Sequence, residues 1–157
     1  MAKPVVMSYS QSFPALPPEA FDTVLPLPLP ELFDRRYGPI PSIRSVEGPG
    51  SAWGEVGQAR TVHLKGGGSL REELTRVDRP DVFGYTITEV AGPMKPLASR
   101  IDGTWSFDAD GAGTRITWQW TLYPTSGFVA PVLPFFARIW RGYARQSFQR
   151  LAGFLAS

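Results

Sequence analysis

Arg60, Glu72 and Tyr85 are the residues of this chain best suited to chemistry, because each sits in phase with apolar neighbours. Val62 and Leu64, then Leu70, Glu72 and Leu74, then Phe83, Tyr85 and Ile87 share one phase of a two-residue period. Thr61, His63 and Lys65, Arg71, Glu73 and Thr75, and Thr86 and Thr88 share the other. Such alternation marks strands with one apolar and one wet face. Burying a carboxylate unpaired costs several kcal/mol, so an inward Glu72 needs a cation, a ligand or water. A turn at Gly66-Gly67-Gly68, between Lys65 and Ser69, sets Leu64 opposite Leu70 and Val62 opposite Glu72. In that register Arg60 faces Leu74 and reaches Glu72 diagonally. The pair then serves either as a structural ion pair near the sheet edge or as a polar anchor in an apolar cavity. In an enzyme, Glu72 would act as acid and base while Tyr85 polarised a carbonyl. Arg60 works against that role by favouring the charged carboxylate.

Other chemistries find no support. His63 is the sole histidine and falls on the wet phase, away from any cavity. Without cysteine there is no disulfide framework, thiolate nucleophile or Cys-ligated metal. Asp108-Ala109-Asp110-Gly111-Ala112-Gly113 begins like a calcium loop, but Gln119 stands where the bidentate Glu belongs and the flanks read as strands. It reads as a hairpin turn. The triple glycine precedes a strand, not a helix, and so is a turn and not a phosphate cradle. No metal and no cofactor are expected.

Composition bounds the class. The 157 residues carry 43% hydrophobic and 19% charged side chains, ordinary for one globular domain spanning 1–157. With 16 Lys and Arg against 14 Asp and Glu and no dense basic run, nucleic acid is not an expected partner. The segment from Met1 to Ser8 lacks the apolar run of a signal peptide, and no stretch approaches a membrane span. A cytoplasmic protein without stable membrane insertion is expected. Arg far outnumbers Lys and Asn is absent, a bias of GC-rich bacterial genomes. Nothing indicates the oligomeric state.

The elements that must position these residues follow from the same patterns. Ile101, Trp105 and Phe107, then Ile116, Trp118, Trp120 and Leu122, extend the apolar phase through two more strands, with Trp105 opposite Trp118. Thr117 and Gln119 point the other way. A first strand, Val5 to about Ser12, stands apart from these five. Short helices begin at Pro17-Pro18-Glu19 and Pro30-Glu31, with Leu25-Pro26-Leu27-Pro28-Leu29-Pro30 as a rigid elbow between them. From about Pro131 the period changes. Val132, Phe136, Ile139, Trp140, Tyr143, Leu151 and Phe154 gather on one helical arc, and Arg138, Arg141, Arg145 and Gln149 on the opposite one. This helix lays its apolar stripe on the sheet's apolar face, giving an α+β architecture. Three indoles crowd together with Tyr85, Phe136, Trp140 and Tyr143, and the N–H and O–H groups of the tryptophans and tyrosines want partners. A cavity holding water or ligand would supply them. Arg60, Glu72, Tyr85, Trp105, Trp118, Trp120, Phe136, Trp140 and Tyr143 are therefore the expected ligand-binding set.

A first strand, two short helices, a run of antiparallel strands and one long C-terminal helix is the order of the helix-grip fold. The sequence resembles the START-like superfamily of polyketide cyclase/dehydrase and lipid-transport proteins, which shares that fold with the birch-pollen allergens. The resemblance is carried by Pro17-Pro18-Glu19-Ala20-Phe21-Asp22, by Asp102-Gly103-Thr104-Trp105-Ser106-Phe107 and by Gly113-Thr114-Arg115-Ile116-Thr117-Trp118. The last helix, after Pro124-Thr125-Ser126-Gly127, completes it. It implies a curved sheet wrapped around the helix and a cavity for a hydrophobic small molecule (aromatic, polyketide-like or lipid). It implies no particular reaction; because Arg60 opposes the raised carboxyl that acid–base work needs, a binder or carrier stands first and a cyclase or dehydratase second. A membrane-surface lipid-transfer role would use Arg138, Arg141 and Arg145, which otherwise read as the solvated back of the helix.

Overall fold

The computed structural model describes residues 3–50 and 52–155, so the outermost residues of the expected 1–157 unit, and Ser51, lie outside it. Strand β1 (Val5–Phe13) is followed by helices α1 (Pro17–Val24) and α2 (Leu29–Leu32). Strands β2 (Ile43–Glu47), β3 (Ala59–Leu64), β4 (Ser69–Asp78), β5 (Val82–Ala91), β6 (Ala98–Asp110) and β7 (Gly113–Pro124) come next. A 3₁₀ turn (Gly127–Val132) then leads into helix α3 (Leu133–Leu155). The strands form one seven-stranded sheet in the order β1-β7-β6-β5-β4-β3-β2, each neighbour antiparallel. This is the helix-grip architecture. Among the described residues no helix is long and apolar enough to cross a membrane.

The expected faces hold. Val62, Leu74, Tyr85, Trp105 and Trp118 are buried, while Thr75 is exposed and Thr117 and Gln119 are only partly covered. His63 lies on the outer phase and meets Glu47 of β2. The register between β3 and β4 differs from the expected one by two residues. Val62 pairs with Leu70, and Arg60 lies directly across from Glu72, not from Leu74. The cause is the turn. Leu64 N donates to Gly68 O, so Gly68 belongs to the ladder and the loop is Lys65-Gly66-Gly67. Gly66 and Gly67 supply the positive φ that closes it, 97° and 101°. Strand β2 was not expected. It is short, has a bulge between Ile43 and Ser45, pairs only with β3 and buries none of its residues fully, so it carries no clean alternation.

Helix α3 starts later than its apolar pattern suggests. Val132 belongs to the 3₁₀ turn, off the helical period, and is 49% exposed, while Ile139 and Phe154 are half-buried. Leu133, Phe136, Trp140, Tyr143, Phe148 and Leu151 face the sheet. Phe148 stacks on Trp105 at 5.6 Å and meets Tyr9 edge-on at 5.0 Å, locking the helix to β1 and β6. Phe136 is 6% exposed, so Phe136→Ala is expected to destabilise by about 3–5 kcal/mol in urea unfolding. The Gly113-Thr114 pair secures the far side of the sheet. A Cβ on Gly113 would lie 2.1 Å from Phe13 O, and buried Thr114 Oγ1 donates to Ala15 O at 2.7 Å.

Candidate functional site

Between the sheet and the helical layer lies a cavity of about 90 Å³, several times the ~10–15 Å³ that one water needs on the same measure. Its floor is the inward phase of β3 to β7, from Val62 and Leu70 through Ile87 to Trp105 and Trp118. Leu25, Leu27, Leu29 and Phe33 wall one side, Ile40 and Pro41 another, and Met94 of the β5–β6 loop a third. The alternating prolines turn those leucines inward. Pro26 and Pro28 are exposed while Leu27 is buried. Trp105 and Trp118 lie nearly parallel, 16° between planes at 5.2 Å, and Phe83 continues the stack on Trp105. The lining thus combines a stack of aromatic rings on the sheet side with aliphatic side chains around the rest.

Into this wall three polar residues are set. Arg60 Nε and Nη2 both reach the same carboxylate oxygen, Glu72 Oε1, at 2.8 and 2.6 Å. Oε2 meets no donor among the described residues. The Arg60 guanidinium is braced from behind by Trp53, whose ring centre lies 3.9 Å from it. Burial pushes the Glu72 carboxyl above its ordinary range, and the Arg60 charge and hydrogen bonds oppose that rise without cancelling it.

Tyr85 is the second anchor. Trp118 Nε1 and Trp120 Nε1 both donate to its hydroxyl oxygen, at 2.9 and 3.1 Å. Two accepted bonds leave the Tyr85 O–H as a donor, with no acceptor among the described residues. The ring reaches from β5 across β6 to the indoles of β7, and it can do so only because Gly103 lies beneath it. A Cβ there would stand 2.2 Å from Tyr85 Cζ. Burial raises the Tyr85 phenol far beyond neutral pH, with the Glu72 charge adding to the effect, so it remains a hydrogen-bond donor. Tyr143, from α3, also lines the cavity and stacks on Phe33 at 5.4 Å. Burial raises its phenol likewise, and its hydroxyl makes no hydrogen bond with the described residues.

Of the nine residues expected to bind ligand, Arg60, Glu72, Tyr85, Trp105, Trp118, Trp120 and Tyr143 line the cavity. Phe136 and Trp140 do not. They pack behind it, Trp140 against Trp118 at 4.7 Å and Trp120 at 5.6 Å. The Trp140 N–H is the one fully buried side-chain polar atom without a partner among the described residues. The N–H groups of Trp118 and Trp120, expected to seek water or ligand, are taken by Tyr85. Trp53 and Gly103 were not foreseen. Trp53 stands in an irregular loop with no period to read, and Gly103 acts by an absent side chain in the midst of an alternating strand.

The whole-chain pattern has parallels. The model of the polyketide cyclase / dehydrase and lipid transport family matches residues 4–154. No curated protein sequence matches the chain. Among solved structures, Ara h 8.0201 superposes with a TM-score of 0.73 at 16% identity, over 97% of each chain. Major latex-like protein 151 from Panax ginseng gives 0.73 at 12% identity, over 99% of this chain and 100% of its own. DynU16, from the dynemicin biosynthetic locus, gives 0.64 at 16% identity, with 97% of this chain aligned to 47% of that one. At such identities the likeness is one of fold. With the family pattern running from Pro4 to Phe154 and the helix grip closed over its cavity, this chain belongs to the polyketide cyclase / dehydrase and lipid transport family.

Proposed function

We propose that the chain binds or carries a hydrophobic small molecule (aromatic, polyketide-like or lipid) that bears at least one hydrogen-bond acceptor. The observation that carries this reading is the set of polar atoms turned to an otherwise apolar cavity without protein partners. These are the hydroxyl protons of Tyr85 and Tyr143 and the Oε2 of Glu72. Polar groups left without protein partners in an apolar cavity are costly to desolvate, and a ligand carbonyl or hydroxyl would satisfy them. Burying ~250 Å² of apolar ligand gives about 6 kcal/mol gross, which after ordering costs fits micromolar affinity. Native mass spectrometry of the purified protein should show a co-purifying small molecule, and anilinonaphthalene sulfonate should bind and be displaced by it. Tyr143→Phe should leave stability within about 1 kcal/mol while weakening that binding about tenfold. An empty protein that also excludes the dye would refute the reading.

A cyclase or dehydratase acting in the same cavity is the second reading, favoured by the upward displacement of the Glu72 carboxyl beside a phenol donor. Glu72→Gln separates the two. It keeps the shape and removes the titrating proton, so an enzyme using this acid loses turnover by roughly 10²–10⁴ with binding largely intact. In a binder the same change alters affinity modestly, and there is no turnover to lose.

A further inference from the structure

The outer surface carries a feature that the cavity does not explain. At the passage from β7 to α3, Phe128 is 94% exposed, Phe135 69% and Val132 49%. Pro131 and Pro134 are exposed between them. Large apolar side chains clustered in this way on a water-facing surface mark an interaction site. The same stretch has a one-sided charge. No Asp or Glu follows Asp110, whereas Arg115, Arg138, Arg141, Arg145 and Arg150 do. Phe135, Arg138, Arg141 and Arg145 follow one another at helical spacing and are all exposed, so they share an outward face of α3. Arg138, Arg141 and Arg145 make no ion pair or hydrogen bond with any described residue. Thr125 N bonds Leu97 O at 3.3 Å, which seats the exposed Lys95 of the β5–β6 loop near the start of this segment. The acid closest along that hairpin, Glu89, is paired with Arg71.

The geometry points to an anionic lipid bilayer as the partner of this face, with Phe128, Val132 and Phe135 entering the headgroup boundary and Arg138, Arg141 and Arg145 meeting lipid phosphates and carboxylates. Exposed apolar tips flanked by unpaired cations are what such a surface selects. A second copy of the chain fits less well. A twofold contact here would bring like charges together, and three apolar side chains fall far short of the ~800 Å² per partner of a stable interface. The position also bears on the cavity, since the β5–β6 loop that adjoins this face contributes Met94 to the lining. The inference stands apart from the proposed ligand binding and is tested without ligand.

Co-flotation with vesicles of phosphatidylcholine containing phosphatidylserine, against vesicles of phosphatidylcholine alone, decides it. The wild-type protein should float with the anionic vesicles, bind the neutral ones weakly, and be released by added salt. Phe128→Ser with Phe135→Ser should lower the partition about tenfold per phenylalanine. Arg138→Ser, Arg141→Ser and Arg145→Ser together should lower it by roughly fivefold per charge. All five side chains are exposed, so circular dichroism should show every variant folded. Absence of binding to anionic vesicles overturns the inference, as does equal binding by wild type and the double-serine variant. Concentration-dependent dimers that Phe128→Ser and Phe135→Ser abolish, in a protein that ignores vesicles, would overturn it in favour of self-association.

Discussion

Gly103→Ala should be among the most damaging single-methyl additions in this protein. Alanine suits a strand and Gly103 does not have a positive φ, so the backbone raises no objection. The harm comes from Tyr85, whose ring occupies the space of the missing side chain at 2.2 Å. Tyr85 cannot shift without abandoning the indoles of Trp118 and Trp120, both buried. Overpacking costs about 1–3 kcal/mol, and each of the two stranded indole N–H groups adds about 1–3 kcal/mol, for a total of roughly 3–9 kcal/mol. A double-mutant cycle isolates the cause. On a Tyr85→Ala background, Gly103→Ala should be neutral or slightly stabilising in urea unfolding. An equal penalty in both backgrounds would show that the glycine serves something other than Tyr85.

Arg60→Leu should have an effect of similar size with a distinctive pH dependence. The change leaves Glu72 buried, deprived of its charge partner, and should destabilise by about 3–5 kcal/mol at neutral pH. Burial already holds the Glu72 carboxyl above its ordinary value of 4.5, and removing the opposing guanidinium raises it further. A raised carboxyl is favoured protonated in the folded state. Its contribution is therefore present below the unfolded value and is lost as pH rises through the folded one. The penalty of Arg60→Leu should shrink when unfolding is measured below pH 4.5 and grow towards neutrality. Arg60→Leu with Glu72→Leu should recover most of the loss, since an ion pair replaced by apolar side chains often leaves stability unchanged. A pH-independent penalty would assign it to lost packing against Trp53 instead.

How far the site was legible in the sequence depended on whether a residue acts through periodicity. Tyr85, Trp105 and Trp118 sit in unbroken two-residue alternation, and that alternation alone sends them inward. The Arg60–Glu72 contact was expected, but as a diagonal. Alternation fixes the face of a strand and is blind to a slip of two residues, which preserves every face. Only the turn determines that slip, and three consecutive glycines do not reveal which of them closes it. Phe136 and Trp140 show the converse limit. A helical stripe tells which residues face the sheet but not how much of the sheet the helix leaves uncovered. Phe33, Ile40 and Pro41, from the end of the short α2 and the loop after it, border the open space together with Tyr143, while Trp140 packs against Trp118 and Trp120. Trp53 reaches Arg60 from a segment without regular structure, where no local rule operates.

The alternating leucines and prolines of residues 25–30 have a consequence for how fast the cavity can be filled. Pro26 and Pro28 hold φ near one value whether or not a ligand is present, and they offer no N–H with which residues 25–28 could collapse into a strand or helix across the opening, while Pro30 sits in the first turn of α2. Leu25, Leu27 and Leu29 are thus presented on a frame whose conformational entropy was surrendered when the chain folded. A guest that enters has little of this wall left to order, so the entropic penalty of association is reduced at its source. Uptake should then be governed by encounter and by desolvation of the guest, with residence time set by how well it meets the polar atoms at the far wall.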